Sequence, residues 1–155
     1  MKSQIFEEDV LKECGDKNNI FIFISKKDEV NTKEIIKKLF IKEKTVIVPV
    51  CNNKKCSIIP SKLNDFNELI NSTYDILEPK KVRKFSKSMI DMFFIPGVLF
   101  DGDGNRKGRG KGYFDRFLKN VKGKKPIIGL CFKHQIIKKL KVNKWDIPVD
   151  KIIVK

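Results

Sequence analysis

Apolar residues fall along this chain in short unbroken runs, separated by polar stretches that carry turn or helix signals. The first run, Ile20-Phe21-Ile22-Phe23-Ile24, lacks the alternation of a half-exposed strand and predicts one covered on both faces. After a polar loop from Ser25 to Val30, Asn31 with Glu34 three residues later predicts a capped helix. Ile35, Ile36, Leu39 and Phe40 mark its buried face, and Lys-rich sequence ends it near Glu43. Thr45 to Val50 forms a second apolar run, which completes a strand-helix-strand unit of the kind found in parallel sheets. Between Cys51 and Ser88 the pattern is weaker. It predicts a turn at Asn52 to Lys55, a short strand at Cys56 to Ile59 and a helix around Asn64 to Ile70.

Met89 to Ile95 predicts a central strand stopped by Pro96-Gly97. Beyond a glycine-rich loop, Phe114, Phe117, Leu118 and Val121 stand at helical spacing. Pro126 to Phe132 predicts a further strand, His134 to Leu140 a short helix, and Lys151 to Val154 a last strand. Strands alternating with helices predict one three-layer α/β/α domain over residues 1–155, with a mostly parallel, Rossmann-like sheet. Ligands of such sheets gather at the loops beyond the carboxyl ends of the strands.

Composition narrows the function classes. The chain has 155 residues, enough for one buried core and short for two. Its apolar runs are far below the roughly 20 residues of a membrane helix, and acidic Glu7-Glu8-Asp9 near the start is unlike a signal peptide, so a cytoplasmic protein is expected. Cys14, Cys51, Cys56 and Cys131 are irregularly spaced and there is one histidine, which disfavours a zinc site and a disulfide scaffold. The net charge of +15 points at first to nucleic acid. However, Lys supplies 30 of the 34 basic residues, spread along the whole chain with many Ile, Asn and Phe, a bias that AT-rich coding produces unaided. A solvated lysine surface is therefore expected, without a dedicated nucleic-acid or membrane partner.

The chemistry concentrates between Asp101 and Asp115. Gly108, Gly110 and Gly112 alternate with cations directly ahead of the predicted helix, and Arg106, Arg109 and Lys111 bring full charges to the same place. Backbone N–H groups, positive potential and side-chain cations are the parts of a phosphate cradle. No Ser or Thr follows a Gly-Lys pair as in a Walker A loop, and the G-x-G-x-G spacing is not the dinucleotide fingerprint. Asp101, Asp103 and Asn105 imitate the start of a calcium loop, but Arg106 and Gly112 occupy positions that require Gly and Glu. Asp115, off the Phe stripe in the first turn, can hold a hard cation against bound phosphates. The alternatives are a ligand-free Gly/Lys loop, with Asp115 serving the helix dipole or pairing with Lys119.

The stretch Ile95-Pro96-Gly97-Val98-Leu99-Phe100-Asp101, followed by Gly104 to Leu118, resembles the signature of the 5-formyltetrahydrofolate cyclo-ligase family. Glu29-Val30-Asn31-Thr32 resembles its substrate loop, Ile76-Leu77-Glu78-Pro79 its central Glu-Pro motif, and Ile128-Gly129-Leu130 with Gln135, Asp146 and Asp150 its C-terminal end. The resemblance implies ATP- and Mg2+-dependent conversion of 5-formyltetrahydrofolate to 5,10-methenyltetrahydrofolate, by a monomer. It implies that Arg106, Lys107, Gly108, Arg109, Gly110, Lys111, Gly112, Tyr113 and Phe114 surround ATP. Of these, Arg109 to Tyr113 also border the folate beside Ile24 and Glu29, and Arg109, Lys111 and Tyr113 are catalytic. Asp115 and Asp146 are implied to hold magnesium.

Some positions depart from the family pattern. Lys107 replaces the usual Leu, Phe114 the usual second Tyr, and Trp145 stands where His or Asn is common. Ser3 to Cys14 is acidic where the family has a basic helix, so that helix is expected to be missing or replaced. A non-catalytic folate- or nucleotide-binding relative is the alternative, and an RNA-binding protein a weaker one.

Overall fold

The computed structural model describes residues 1–72 and 76–155. In chain order its elements are α1 (Lys2–Cys14), β1 (Asn19–Ile22), α2 (Lys33–Ile41), β2 (Thr45–Asn52), β3 (Ser57–Leu63), β4 (Leu69–Asn71) and β5 (Leu77–Pro79). They continue as β6 (Met92–Ile95), β7 (Leu99–Asp101), β8 (Arg106–Lys107), α3 (Tyr113–Leu118), β9 (Ile127–Cys131), β10 (Ile136–Ile137) and β11 (Lys151–Val154). The main sheet has the order β11-β9-β6-β1-β2-β3. Every neighbouring pair is parallel except β2 with β3.

The apolar runs lack alternation because both faces of the central strands are covered. Ile20, Ile22, Met92, Phe94, Ile128 and Leu130 pack on α1 and α2, through Phe6, Val10, Ile35, Ile36 and Leu39. Their neighbours Phe21, Phe93, Ile95 and Ile127 face Phe117, Leu118 and Val121 on the opposite side. The expected three layers with a mostly parallel sheet are thus present, and no helix among the described residues is long and apolar enough to cross a membrane.

Several elements differ from the sequence expectation. Ser3 to Cys14 lies within a helix, α1, which buries Phe6, Val10 and Cys14 at a four-residue spacing. Two of its acids are tied off by Lys38 and Lys151. The cap of α2 is Thr32 in place of Asn31. The Thr32 hydroxyl turns inward, donating to the Phe23 carbonyl and accepting the Ser25 N–H, while Asn31 Oδ1 accepts the N–H of Lys33, two positions on. The short strand predicted at Cys56 runs on to Leu63 through Pro60, which is tolerated because β3 is an edge strand.

The helix expected over Asn64 to Ile70 is one 3-10 turn, Phe66–Glu68, leading into β4. Central strand β6 starts at Met92, because the Asp91 carboxylate instead accepts the Asn18 and Asn19 N–H groups. The helix predicted from His134 to Leu140 is a 3-10 turn, Lys133–Gln135, then β10, which pairs with β7. The helix α3 stops at Leu118, and Val121 is buried from the turn that follows.

The β7–β8 turn is fixed from outside by the C-terminal segment. Gly104 adopts φ +81°, and a Cβ there would lie 2.4 Å from the Val149 carbonyl oxygen. Gly104→Ala is therefore expected to lower stability by about 2 to 4 kcal/mol, combining a backbone clash with a left-handed alanine. The urea midpoint measures it, and an unchanged midpoint would contradict this packing.

Candidate active site

The site is built at the carboxyl ends of β1 and β6. Beyond β6 the chain forms the β7–β8 hairpin, in which Phe100 lies opposite Arg106. Asp101 is fully buried, and its carboxylate accepts the N–H groups of Asp103, Asn105 and Leu140 and the Asn105 side-chain amide, all within 3.0 Å. These bonds explain the Asp101-to-Asn105 pattern as a self-bonded turn, which also anchors the start of the glycine loop.

Burial alone would raise the Asp101 carboxyl, but its hydrogen bonds outweigh burial and hold it below the ordinary aspartate value. A depressed folded pKa stabilises above the unfolded value, about 3.9, and that contribution is lost as pH falls through the lower folded value. Asp101→Asn is thus expected to be less stable than wild type at pH 7, with the gap narrowing below about pH 4. Denaturation midpoints across that range measure it, and a constant gap would contradict the assignment.

The arginines of the loop play different parts. Arg106 points inward with its side chain 3% exposed. Its Nη1 donates to the Pro96 carbonyl at 3.2 Å and its Nη2 to Asp115 Oδ1 at 3.1 Å. Its Nε is buried without a partner among the described residues. Arg109 points outward and crosses to the loop after β1. Its Nη2 donates to both Asp28 oxygens, at 2.9 and 2.8 Å, and to Glu29 Oε1 at 3.3 Å. The guanidinium holds the Asp28 carboxyl below its ordinary range. The other Glu29 oxygen accepts the Lys26 N–H.

Arg109 closes one side of a cleft of about 210 Å³, lined also by Asp28, Glu29, Gly97, Val98, His134 and Gln135. Gln135 shapes the wall by donating to the Gly97 carbonyl at 2.7 Å. Gly108 packs beside the Arg106 guanidinium, while Lys107 and Lys111 are exposed and make no ion pair among the described residues. Tyr113 donates its hydroxyl to Asn53 Oδ1 at 3.0 Å, and the Arg106 guanidinium lies 5.7 Å from the Phe114 ring. With only six residues α3 adds a small dipole, so side-chain cations supply most of the positive potential.

The structure brings Arg109 to Glu29, and Arg106 to Asp115. Asp146 lies beside the second pair, because the next residue, Ile147, donates its N–H to Asp115 Oδ1 at 3.0 Å. The Asp146 carboxylate itself accepts the Asn143 N–H. Ile24 is buried in the core and is not among the residues lining the cleft. Asp115 Oδ2 has no hydrogen bond among the described residues, and no group of three or more His, Cys, Asp or Glu is disposed to hold a metal there. One or two carboxylates suit Mg2+, which keeps several waters and shares its shell with substrate phosphates. The exposed Lys107, Arg109 and Lys111 likewise suit an anionic phosphate chain, so the residues present fit both groups.

Sequence reasoning predicted the β2–β3 turn at Asn52 to Lys55 but assigned no site role to it, to Asp28 or to Arg116. A signal for Arg116 was available, since in a chain with 30 Lys the four Arg mark positions needing a planar fork of donors. Arg83, Arg106 and Arg116 each use two guanidinium nitrogens, on Glu68, on Pro96 with Asp115, and on two backbone carbonyls, whereas Arg109 places Nη2 alone on Asp28 and Glu29.

Residues 6–155 match the 5-formyltetrahydrofolate cyclo-ligase family. The chain is 34% identical over 145 residues to the 5-formyltetrahydrofolate cyclo-ligase of Mus musculus, covering 86% of this chain and 71% of that protein. With the Haemophilus influenzae cyclo-ligase it shares 33% identity over 141 residues, covering 88% and 75%. The NMR structure of Aquifex aeolicus 5,10-methenyltetrahydrofolate synthetase superposes with a TM-score of 0.77 at 27% identity, covering 99% of this chain and 79% of that one.

Proposed function

The chain belongs to the 5-formyltetrahydrofolate cyclo-ligase family, a family of ligases, and we propose that it converts 5-formyltetrahydrofolate to 5,10-methenyltetrahydrofolate at this cleft with ATP and Mg2+. The observation that carries the reading is the Arg109 bridge, which sets a cationic loop against Asp28 and Glu29 across a cleft at the ends of the parallel strands. When bound, ATP with magnesium supplies a phosphoryl group that turns the formyl oxygen into a leaving group.

The chain's own residues position and neutralise. Glu29, with one oxygen held by the Lys26 N–H, offers a fixed acceptor to the N–H edge of the folate, while Ile24 stays in the core and packs behind the site. Arg109, Lys111 and Tyr113 face the reacting end, where cations aimed at developing phosphoryl charge are most effective. Arg106 to Phe114 surround the nucleotide in this reading, but Arg106 acts through Asp115, since its charge is directed inward. Asp115 and Asp146 are the carboxylates that would hold the metal, which would shield the charge of the bound phosphates. No histidine or cysteine has a covalent role. Residues 1–155 act as one domain in this reading, a cytoplasmic monomer whose dispersed lysines serve no dedicated nucleic-acid partner.

The test is to mix the protein with 5-formyltetrahydrofolate and ATP·Mg, follow the absorbance of the methenyl product, and measure binding of both ligands by titration calorimetry. Product dependent on ATP and Mg2+ is the expected result. Binding of both ligands without product would instead identify a non-catalytic relative.

A further inference from the structure

Arg116 has no acidic partner among the described residues; its guanidinium closes on two backbone carbonyls, one 60 positions away in sequence and one only five. Nε and Nη2 donate to the Cys56 carbonyl at 2.9 and 2.7 Å, and Nη2 also donates to the Lys111 carbonyl at 2.5 Å. The first carbonyl belongs to the β2–β3 turn and the second to the glycine loop. Tyr113 joins the same two segments through its bond to Asn53, and its ring lies 5.9 Å from the Arg116 guanidinium. Both segments contain backbone that needs holding. Cys56 sits at φ +44°, an uncommon conformation for a residue with a side chain. Gly112 sits at φ +65°, and a Cβ there would meet Arg116 Nη1 at 3.1 Å, so a bare α-carbon lets the guanidinium reach the loop.

We infer that Arg116 is a positioning residue, which clamps the glycine loop to the β2–β3 turn and so fixes the phosphate-facing shape of residues 109–112. The ligand in this statement rests on the function proposed above, whereas the clamp rests on geometry alone. A lysine cannot replace it, because one ammonium lacks the planar fork that reaches both carbonyls. The clamp lies on an exposed side chain, so it contributes little to global stability.

Arg116→Lys and Arg116→Gln are expected to raise KM for ATP by about tenfold, through misplacement of the loop, with a smaller change in kcat. Their melting temperatures should stay within about 4 °C of wild type. Without ligand, amide hydrogen exchange at 53–56 and 109–112 should accelerate while the central strands stay protected. Unchanged exchange would overturn the clamp, and faster exchange with an unchanged KM would leave it a structural tie and overturn the positioning role. A wild-type protein that neither turns over nor binds ATP in calorimetry would sink the proposed function, and with it the purpose assigned to Arg116, even where exchange accelerates.

Discussion

Asp115→Ala is expected to abolish turnover and to weaken the fold at the same time. Arg106 is only 3% exposed, and Asp115, at 16%, is the carboxylate that compensates it. Removing one partner of a buried pair leaves an uncompensated charge, which costs about 3 to 5 kcal/mol. Arg106 has little in reserve, since among the described residues its Nε already lacks a partner and the Pro96 carbonyl is its one other acceptor. The same carboxylate receives the Ile147 N–H, so its loss also frees the segment that carries Asp146. Asp115→Asn separates the two effects. An amide keeps an acceptor for Arg106 and Ile147, so much of the stability should return, but it is a poor magnesium ligand. Turnover should remain at least about a hundredfold below wild type, as when a preorganised electrostatic group is removed, and should respond to added Mg2+. Urea midpoints and product formation against Mg2+ concentration measure both effects. A fully stable alanine variant would refute the buried-pair argument, and wild-type turnover in the asparagine variant would refute the metal role.

That dual dependence was only half legible from the sequence. The spacing of Asp115 from the Phe stripe placed its carboxylate near the loop, yet nothing local revealed that Arg106 turns inward to meet it. The main strands and the layering were readable because Ile20 to Ile24, Thr45 to Val50 and Pro126 to Phe132 are long apolar runs whose neighbours cover both faces. The segment from Cys51 to Ser88 was not, since edge strand β3 mixes Pro60, Ser61 and Lys62 with apolar residues and is set by pairing with β2. The spacing of Phe6, Val10 and Cys14 carried a helical signal for α1 that its acids obscured. His134 to Leu140 imitated a helix because Ile136, Ile137 and Leu140 fit that period, while the pairing of β10 with β7 decided otherwise. Which cation serves which partner depends on contacts 80 or more positions apart in sequence, such as Arg109 with Asp28 and Glu29, and short-range patterns do not encode those.

Those long-range contacts give the second large effect the opposite profile. Arg109→Ala is expected to lower kcat/KM by about a hundredfold or more while changing stability by less than about 1 kcal/mol. The Arg109 and Asp28 side chains are 48% and 65% exposed, so water solvates either charge once the other is removed. The fold therefore gains little from the pair, and its value lies in where the guanidinium can go. Without ligand it rests on two carboxylates through Nη2 alone; a phosphate is a competing anionic acceptor, whose two oxygens can take the full fork that the resting contact leaves unused. Asp28→Asn should consequently weaken the resting contact and leave turnover within a few-fold of wild type, in contrast to the loss at Arg109. Lys in place of Arg109 should recover only part of the rate, because charge is restored without the planar fork. Measuring kcat, KM for each ligand and urea midpoints for the three variants tests the ordering. Wild-type turnover in Arg109→Ala, or a stability loss in it comparable to that of Asp115→Ala, would remove Arg109 from the reacting site and make it a structural tie.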